Sequence, residues 1–213
     1  RSSDLNRIMV KEKLNDYINI VKNFNEKDYL FSTIAHSIGP TLVGEKPSSL
    51  LIFNTYNRNQ KKVWGEVKHE LKGKLKIKFF ELNTSEESSV VLFYDENMLL
   101  EVLKKKRNIY FLKRFGYEEN MNLEEYLTLL SQRFKKICPH EIGIFLGYPV
   151  EEVAIFSSCP NRECLLVGYW KVYHNDNVEK AKNIFKRYDS IKSDIIKLIA
   201  QGVKPIEIIS SYK

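Results

Sequence analysis

The chain has 213 residues, 43% of them hydrophobic and 12% aromatic, which is enough to bury a core without disulfide or metal staples. Its formal net charge of +7 is mostly lysine, with arginine only at positions 1, 7, 58, 107, 114, 133, 162 and 187. Arginine is the usual reader of phosphates and base edges, so the charge argues weakly for nucleic acid, and no apolar run approaches the ~20 residues of a membrane span.

Apolar residues at Leu14, Tyr17, Ile18, Val21 and Phe24 have helical spacing. A second helix is predicted over Lys27–Ser37, stopping against Gly39-Pro40 because the residue before a proline avoids the helical region. Leu50–Phe53 reads as a short buried strand and Gln60–Leu71 as a helix closed by Gly73. Leu75–Glu81 alternates apolar residues with lysines, the period of a half-exposed strand. This strand–helix–strand order predicts a right-handed parallel unit, followed by a strand at Ser89–Tyr94 antiparallel to its predecessor. Helices are expected at Asn97–Lys105, Ile109–Phe115 and Leu123–Lys135. Two short ones, His140–Leu146 and Val150–Phe156, are joined by Gly147-Tyr148-Pro149. Cys164–Tyr173 is the strongest late strand, and the four strands are expected in one sheet. Val178–Ile199 carries an apolar stripe (Ala181, Ile184, Phe185, Tyr188, Ile191, Ile195, Leu198), and a short helix follows Pro205. The expectation is one α/β or α+β domain over residues 1–213, a mixed sheet of about four strands covered by helices, with a helical C-terminal end.

The chain starts Arg1-Ser2-Ser3-Asp4 with neither an initiator Met nor an apolar signal stretch, so it reads as a trimmed end. Cys138, Cys159 and Cys164 are too few, and odd in number, for a secreted disulfide framework. A reduced, cytosolic setting is expected, with all three thiols free.

Three segments carry a family resemblance: Ile34-Ala35-His36 through Gly39-Pro40-Thr41-Leu42 to Lys46-Pro47-Ser48-Ser49-Leu50, the run His140–Pro149, and Gly168–Tyr173. In order and spacing they resemble the DUF3793 family, uncharacterised proteins found mainly in anaerobic, Gram-positive bacteria. The likeness spans about Ile34 to Tyr188 and is most specific in the middle segment. Family members often have Cys after the histidine matching His36, whereas this chain has Ser37, so thiol chemistry at that position does not apply. The resemblance implies no activity, cofactor or catalytic residue.

Chemistry is therefore read from residue types. Gly39, Thr41, Gly44, Lys46, Ser48 and Ser49 form a loop whose amides, hydroxyls and one cation suit a phosphate or carboxylate, although the same residue types serve ordinary turns. The Walker spacing is absent. His140-Glu141 opens a helix, either as an acid–base pair or with Glu141 simply favouring the helix dipole. Ile144 stands where a zincin's second histidine belongs, so no metal site is expected. Cys138-Pro139 and Cys159-Pro160 keep a haem-linked alternative open, and cofactors are otherwise unassigned. Tyr169, Lys171 and Tyr173 would share one strand face, either stacking a ligand or packing the sheet. The expected function is binding of a small anionic ligand, with catalysis left open. His36, His140 and Glu141 are the candidate catalytic groups, and Thr41, Lys46, Ser49, Tyr148 and Lys171 the candidate ligand-binding groups. A nucleic-acid module and a protein–protein adaptor are the remaining alternatives. The loop after His36 and the helix at His140 are expected to face a common pocket.

Overall fold

Residues 17–211 are described by a computed structural model, so the start of the first expected helix lies outside the described residues; residues 17–21 are helical. Helix α1 (Glu26–Leu42) begins at Asn25, whose side chain accepts from the Asp28 amide, with Glu26 and Asp28 in the positive first turn. It does not stop at Gly39-Pro40 but continues through the proline. Pro40 removes one helical hydrogen bond, yet Ile38, Gly39 and Pro40 are all buried, and Gly39 lets Ile191 and Ile195 of the long C-terminal helix pack closely against it. The lost bond is offset by tertiary packing. Beyond the helix, the amides of Glu45 and Lys46 both donate to the Pro40 carbonyl, at 2.9 and 3.1 Å, and Gly44 takes the left-handed conformation (φ +72°) that turns the chain back.

Strand β1 (Ser48–Asn54), helix α2 (Gln60–Lys72), strand β2 (Lys78–Thr84) and strand β3 (Ser88–Tyr94) follow. The sheet order is β1-β3-β2 and both pairings are antiparallel. β1 and β2 are thus parallel to each other, as the strand–helix–strand order implied, but β3 lies between them. β2 starts three residues later than its alternation suggested, although Ile77 just before it is buried. In central β3, Val91 and Phe93 face one apolar cluster while Leu92 and Tyr94 face another.

One cluster is built from α1, α2, helix α8 (Asn175–Ala200) and helix α9 (Pro205–Ser211). The opposite cluster gathers helices α3 (Glu96–Lys104), α4 (Lys106–Leu112), α5 (Leu123–Phe134), α6 (Ile142–Phe145) and α7 (Val150–Ser158). The fold is α+β, a small antiparallel sheet between two helical layers. Among the described residues no helix is long and apolar enough to cross a membrane. Cys138, Cys159 and Cys164 are free.

The fourth expected strand is corrected. Cys164–Tyr173 does not join the sheet but folds on itself as a hairpin of β4 (Leu166–Val167) and β5 (Lys171–Val172). Alternation alone does not distinguish a strand from a tight hairpin. The turn follows Gly168, where a Cβ would lie 2.9 Å from Phe185 Cζ and closer still to Cδ2 and Cε2 of that ring, so only glycine fits. Gly168→Ala should therefore lower stability by about 1–3 kcal/mol by displacing Phe185. Gly65→Ala, in the interior of α2 with nothing within 4 Å of a new Cβ, should raise it by about 0.5–1 kcal/mol. Urea denaturation of both variants would check the pair.

Candidate functional site

The three segments that carry the family resemblance meet at the edge of the sheet, where β1 begins. Ser48 and Ser49 point to opposite sides, as alternate strand residues must. The Ser48 hydroxyl donates to the Phe145 carbonyl at 2.8 Å, tying β1 to α6. The Ser49 hydroxyl lies 2.8 Å from that of Thr41 on α1. Gly147, at φ +78°, packs on Pro47 so closely that a Cβ would sit 2.7 Å from the proline ring. Tyr148, one residue on, stacks obliquely on Trp170 of the hairpin with ring centroids 5.1 Å apart.

These contacts border a cavity of about 200 Å³ lined by Ser37, Lys46, Ser49, Tyr148, Tyr169 and Lys192, among others. Lys46 is only 6% exposed. Its ammonium lies 5.6 Å from the centre of the Tyr148 ring and 6.0 Å from that of Tyr169. Lys192 reaches in from α8, 4.7 Å from the Tyr169 ring centre. Among the described residues neither ammonium has a carboxylate within 4 Å. The nearby acids are otherwise engaged: Glu45 pairs with Arg187 at 3.0 Å, and Asp189 accepts from the Tyr169 hydroxyl at 2.9 Å. Burial, with Lys192 adding repulsion, pushes the Lys46 pKa down to about 7. Burial also lowers Lys192, but Asp189 pulls it back up. Tyr148 is pushed up to about 12, mainly by burial, so its phenol keeps its proton at neutral pH.

A second chamber of about 320 Å³ lies beside the first and shares Tyr148 and Tyr169 with it. Ile142, Val153, Phe156 and Trp170 make it largely apolar, with His140 and Lys171 as polar groups. His140 packs against Phe156 at 4.9 Å, and the Lys171 ammonium lies 5.4 Å from the same ring. Glu152 also borders this chamber, but its buried carboxylate is committed to the fold. It accepts from the Tyr173 amide and the Asn177 side chain, both at 2.7 Å, and lies 3.3 Å from His174 Nδ1.

The expected site residues are thus divided. Lys46, Ser49 and Tyr148 share the first cavity, with Thr41 directly behind Ser49. His140 and Lys171 line the second chamber with Tyr148. His36 lines neither of these two cavities; its imidazole stacks on Tyr17 at 5.6 Å. Burial and then Lys192 push its pKa down to about 4, so the neutral form prevails near pH 7. Glu141 also lines neither cavity. Its carboxylate is 1% exposed and accepts from Arg133 Nε and, at 3.3 Å, from Nη2. The acid expected to partner His140 is a structural ion pair.

Sequence reasoning missed Ser37, Tyr169 as a wall of this cavity, and above all Lys192. A signal for Lys192 was present. Ala181, Phe185, Tyr188, Lys192, Ile195 and Ile199 fall at alternating steps of four and three, so a lysine occupies a position on the buried stripe of α8.

The family described as a protein of unknown function (DUF3793) matches residues 34–209 of the chain. No curated protein and no solved structure matches it.

Two outcomes follow from these placements. Arg133→Ala leaves the Glu141 charge buried without its partner and should cost on the order of 3–5 kcal/mol in denaturant unfolding, while leaving any ligand affinity of the Lys46 cavity unchanged. For His36 the folded pKa lies below the unfolded 6.5, so its contribution to stability is complete above pH 6.5 and lost as pH falls toward 4. Between those limits wild type should lose about 2–3 kcal/mol more than His36→Gln. Paired unfolding curves at pH 4.5 and 7 would measure the difference.

Proposed function

Since the chain belongs to the DUF3793 family, matched over residues 34–209, and that family carries no assigned activity, we propose from its site that the protein binds a small anionic molecule between Lys46 and Lys192. One observation carries the reading: two lysine side chains converge on one cavity, with no carboxylate within 4 Å of either ammonium among the described residues and Asp189 acting on Lys192 alone. Removing a cation from water is costly unless it is paired, and placing two together adds repulsion. An anionic ligand supplies the missing charge. Ser49, Ser37 and the phenol of Tyr148 add neutral hydrogen-bonding groups around it. A volume of about 200 Å³ lies below that of drug-sized pockets, which favours a small carboxylate or phosphate over a nucleotide.

Isothermal titration calorimetry with orthophosphate and with small carboxylates should give saturable binding. Lys46→Gln and Lys192→Gln should each weaken it at least about tenfold, since each leaves the anion with one cation. Lys171→Gln, which alters only the second chamber, should leave it unchanged. Anion binding favours the charged form of Lys46, so affinity should fall as pH rises above about 7, with proton uptake on binding. Absence of saturable binding, or full affinity in both cavity variants, would remove the proposal.

A further inference from the structure

The two lysines of the cavity are not equivalent, and the difference assigns them separate tasks. Lys46 is the more deeply buried. It faces Tyr148 from the turn before α7, Tyr169 from the hairpin and Lys192 from α8, and no acid approaches it among the described residues. Lys192 has Asp189 one turn back on its own helix, and the Tyr169 hydroxyl fixes that carboxylate at 2.9 Å. Of the pair, only Lys192 has an acid to offset its burial, so Lys46 is the one more readily left uncharged. An uncharged amine in a desolvated cavity beside a second cation is the environment that makes lysine a nucleophile toward carbonyl carbon.

We infer that Lys46 forms an imine with the carbonyl carbon of a small 2-oxo acid whose carboxylate is held by Lys192. This deepens the anion-binding reading and rests on it. A 2-oxo acid carries both required groups on adjacent carbons, an anion for the charged lysine and an electrophile for the neutral one. In the reaction the Nζ lone pair forms a bond to the carbonyl carbon while the carbon–oxygen π pair moves to oxygen. The nitrogen then loses two protons, the oxygen gains two, and the carbon–oxygen bond breaks to release one water. No oxidant or reductant is consumed. Tyr148, which keeps its phenolic proton, and Ser49 are hydroxyls on the same wall able to pass protons to the departing oxygen.

The test is reductive trapping of the full chain. Wild-type protein would be incubated with pyruvate and sodium borohydride at pH 7.5, and the product read by intact mass and peptide mapping. The expected result is a single reduced adduct on Lys46, formed at least about tenfold faster than on any other lysine. It should be absent from Lys46→Arg. Lys192→Gln should lose most trapping of pyruvate yet retain trapping of acetaldehyde, which has no carboxylate to hold. No adduct on Lys46, or adducts spread evenly over surface lysines, would overturn the inference. Mapping on the wild-type chain decides this even where a variant fails to fold. The anion reading is judged separately: saturable, Lys46-dependent phosphate binding without trapping leaves it standing and removes only the imine, whereas failure of both removes both.

Discussion

Strand β3 is buried on both faces, and that constraint organises the rest of the molecule. Val91 and Phe93 belong to one apolar cluster and Leu92 and Tyr94 to the other, so neither helical layer can be absent without exposing half of the central strand. Among the described residues the sheet has three strands, and β1 is an edge. The two layers approach each other around that edge, and β1 touches both through successive side chains. Ser48 bonds to the layer containing α6, and Ser49 meets α1 in the other. The cavity lies where the layers converge, and its walls come from segments more than a hundred residues apart.

Most elements were legible because local pattern and tertiary fate agree. The stripe of α8, the helix at Leu123 and the strand at Ser89–Tyr94 follow directly from apolar spacing. Two features were not legible, for different reasons. Alternation over Cys164–Tyr173 is shared by a single strand and by a hairpin, and the hairpin packs on Phe185, seventeen residues beyond Gly168. The continuation of α1 through Pro40 depends on packing against Ile191 and Ile195, which outweighs the local rule for proline. In both places the local conformation packs on a side chain distant in sequence.

The site was half legible for a related reason. Lys46, Ser49 and Tyr148 could be named because they stand among turn residues and in the segments of family resemblance. Their neighbour Lys192 was hidden inside a long, lysine-rich helix, where one more lysine attracts no notice unless the buried stripe is counted position by position. His36 and Glu141 were named for the chemistry their side chains can perform. Their surroundings are not visible in the sequence: the imidazole stacks on Tyr17, and the carboxylate is held by Arg133.

The contrast between the buried acids and the buried lysines is what separates structure from site. Glu141 and Glu152 are both almost wholly removed from water, and each is satisfied: one by Arg133, the other by a backbone amide, an asparagine and a histidine. Such groups hold α5 to α6 and α7 to the start of α8, and they need nothing from outside the chain. Lys46 is buried to a similar degree and has two aromatic faces where an acid would normally stand. A cation over a ring gains on the order of 1–2 kcal/mol, less than the desolvation it suffers, so the ring contacts alone do not balance its burial. Local rules fail at the same spot twice more, in the lysine placed on the α8 stripe and in the glycine required beneath Pro47. Sequences tend to depart from the stable choice where function requires it. Within the chain, Asp189 acts on Lys192, and among the described residues no carboxylate lies within 4 Å of Lys46.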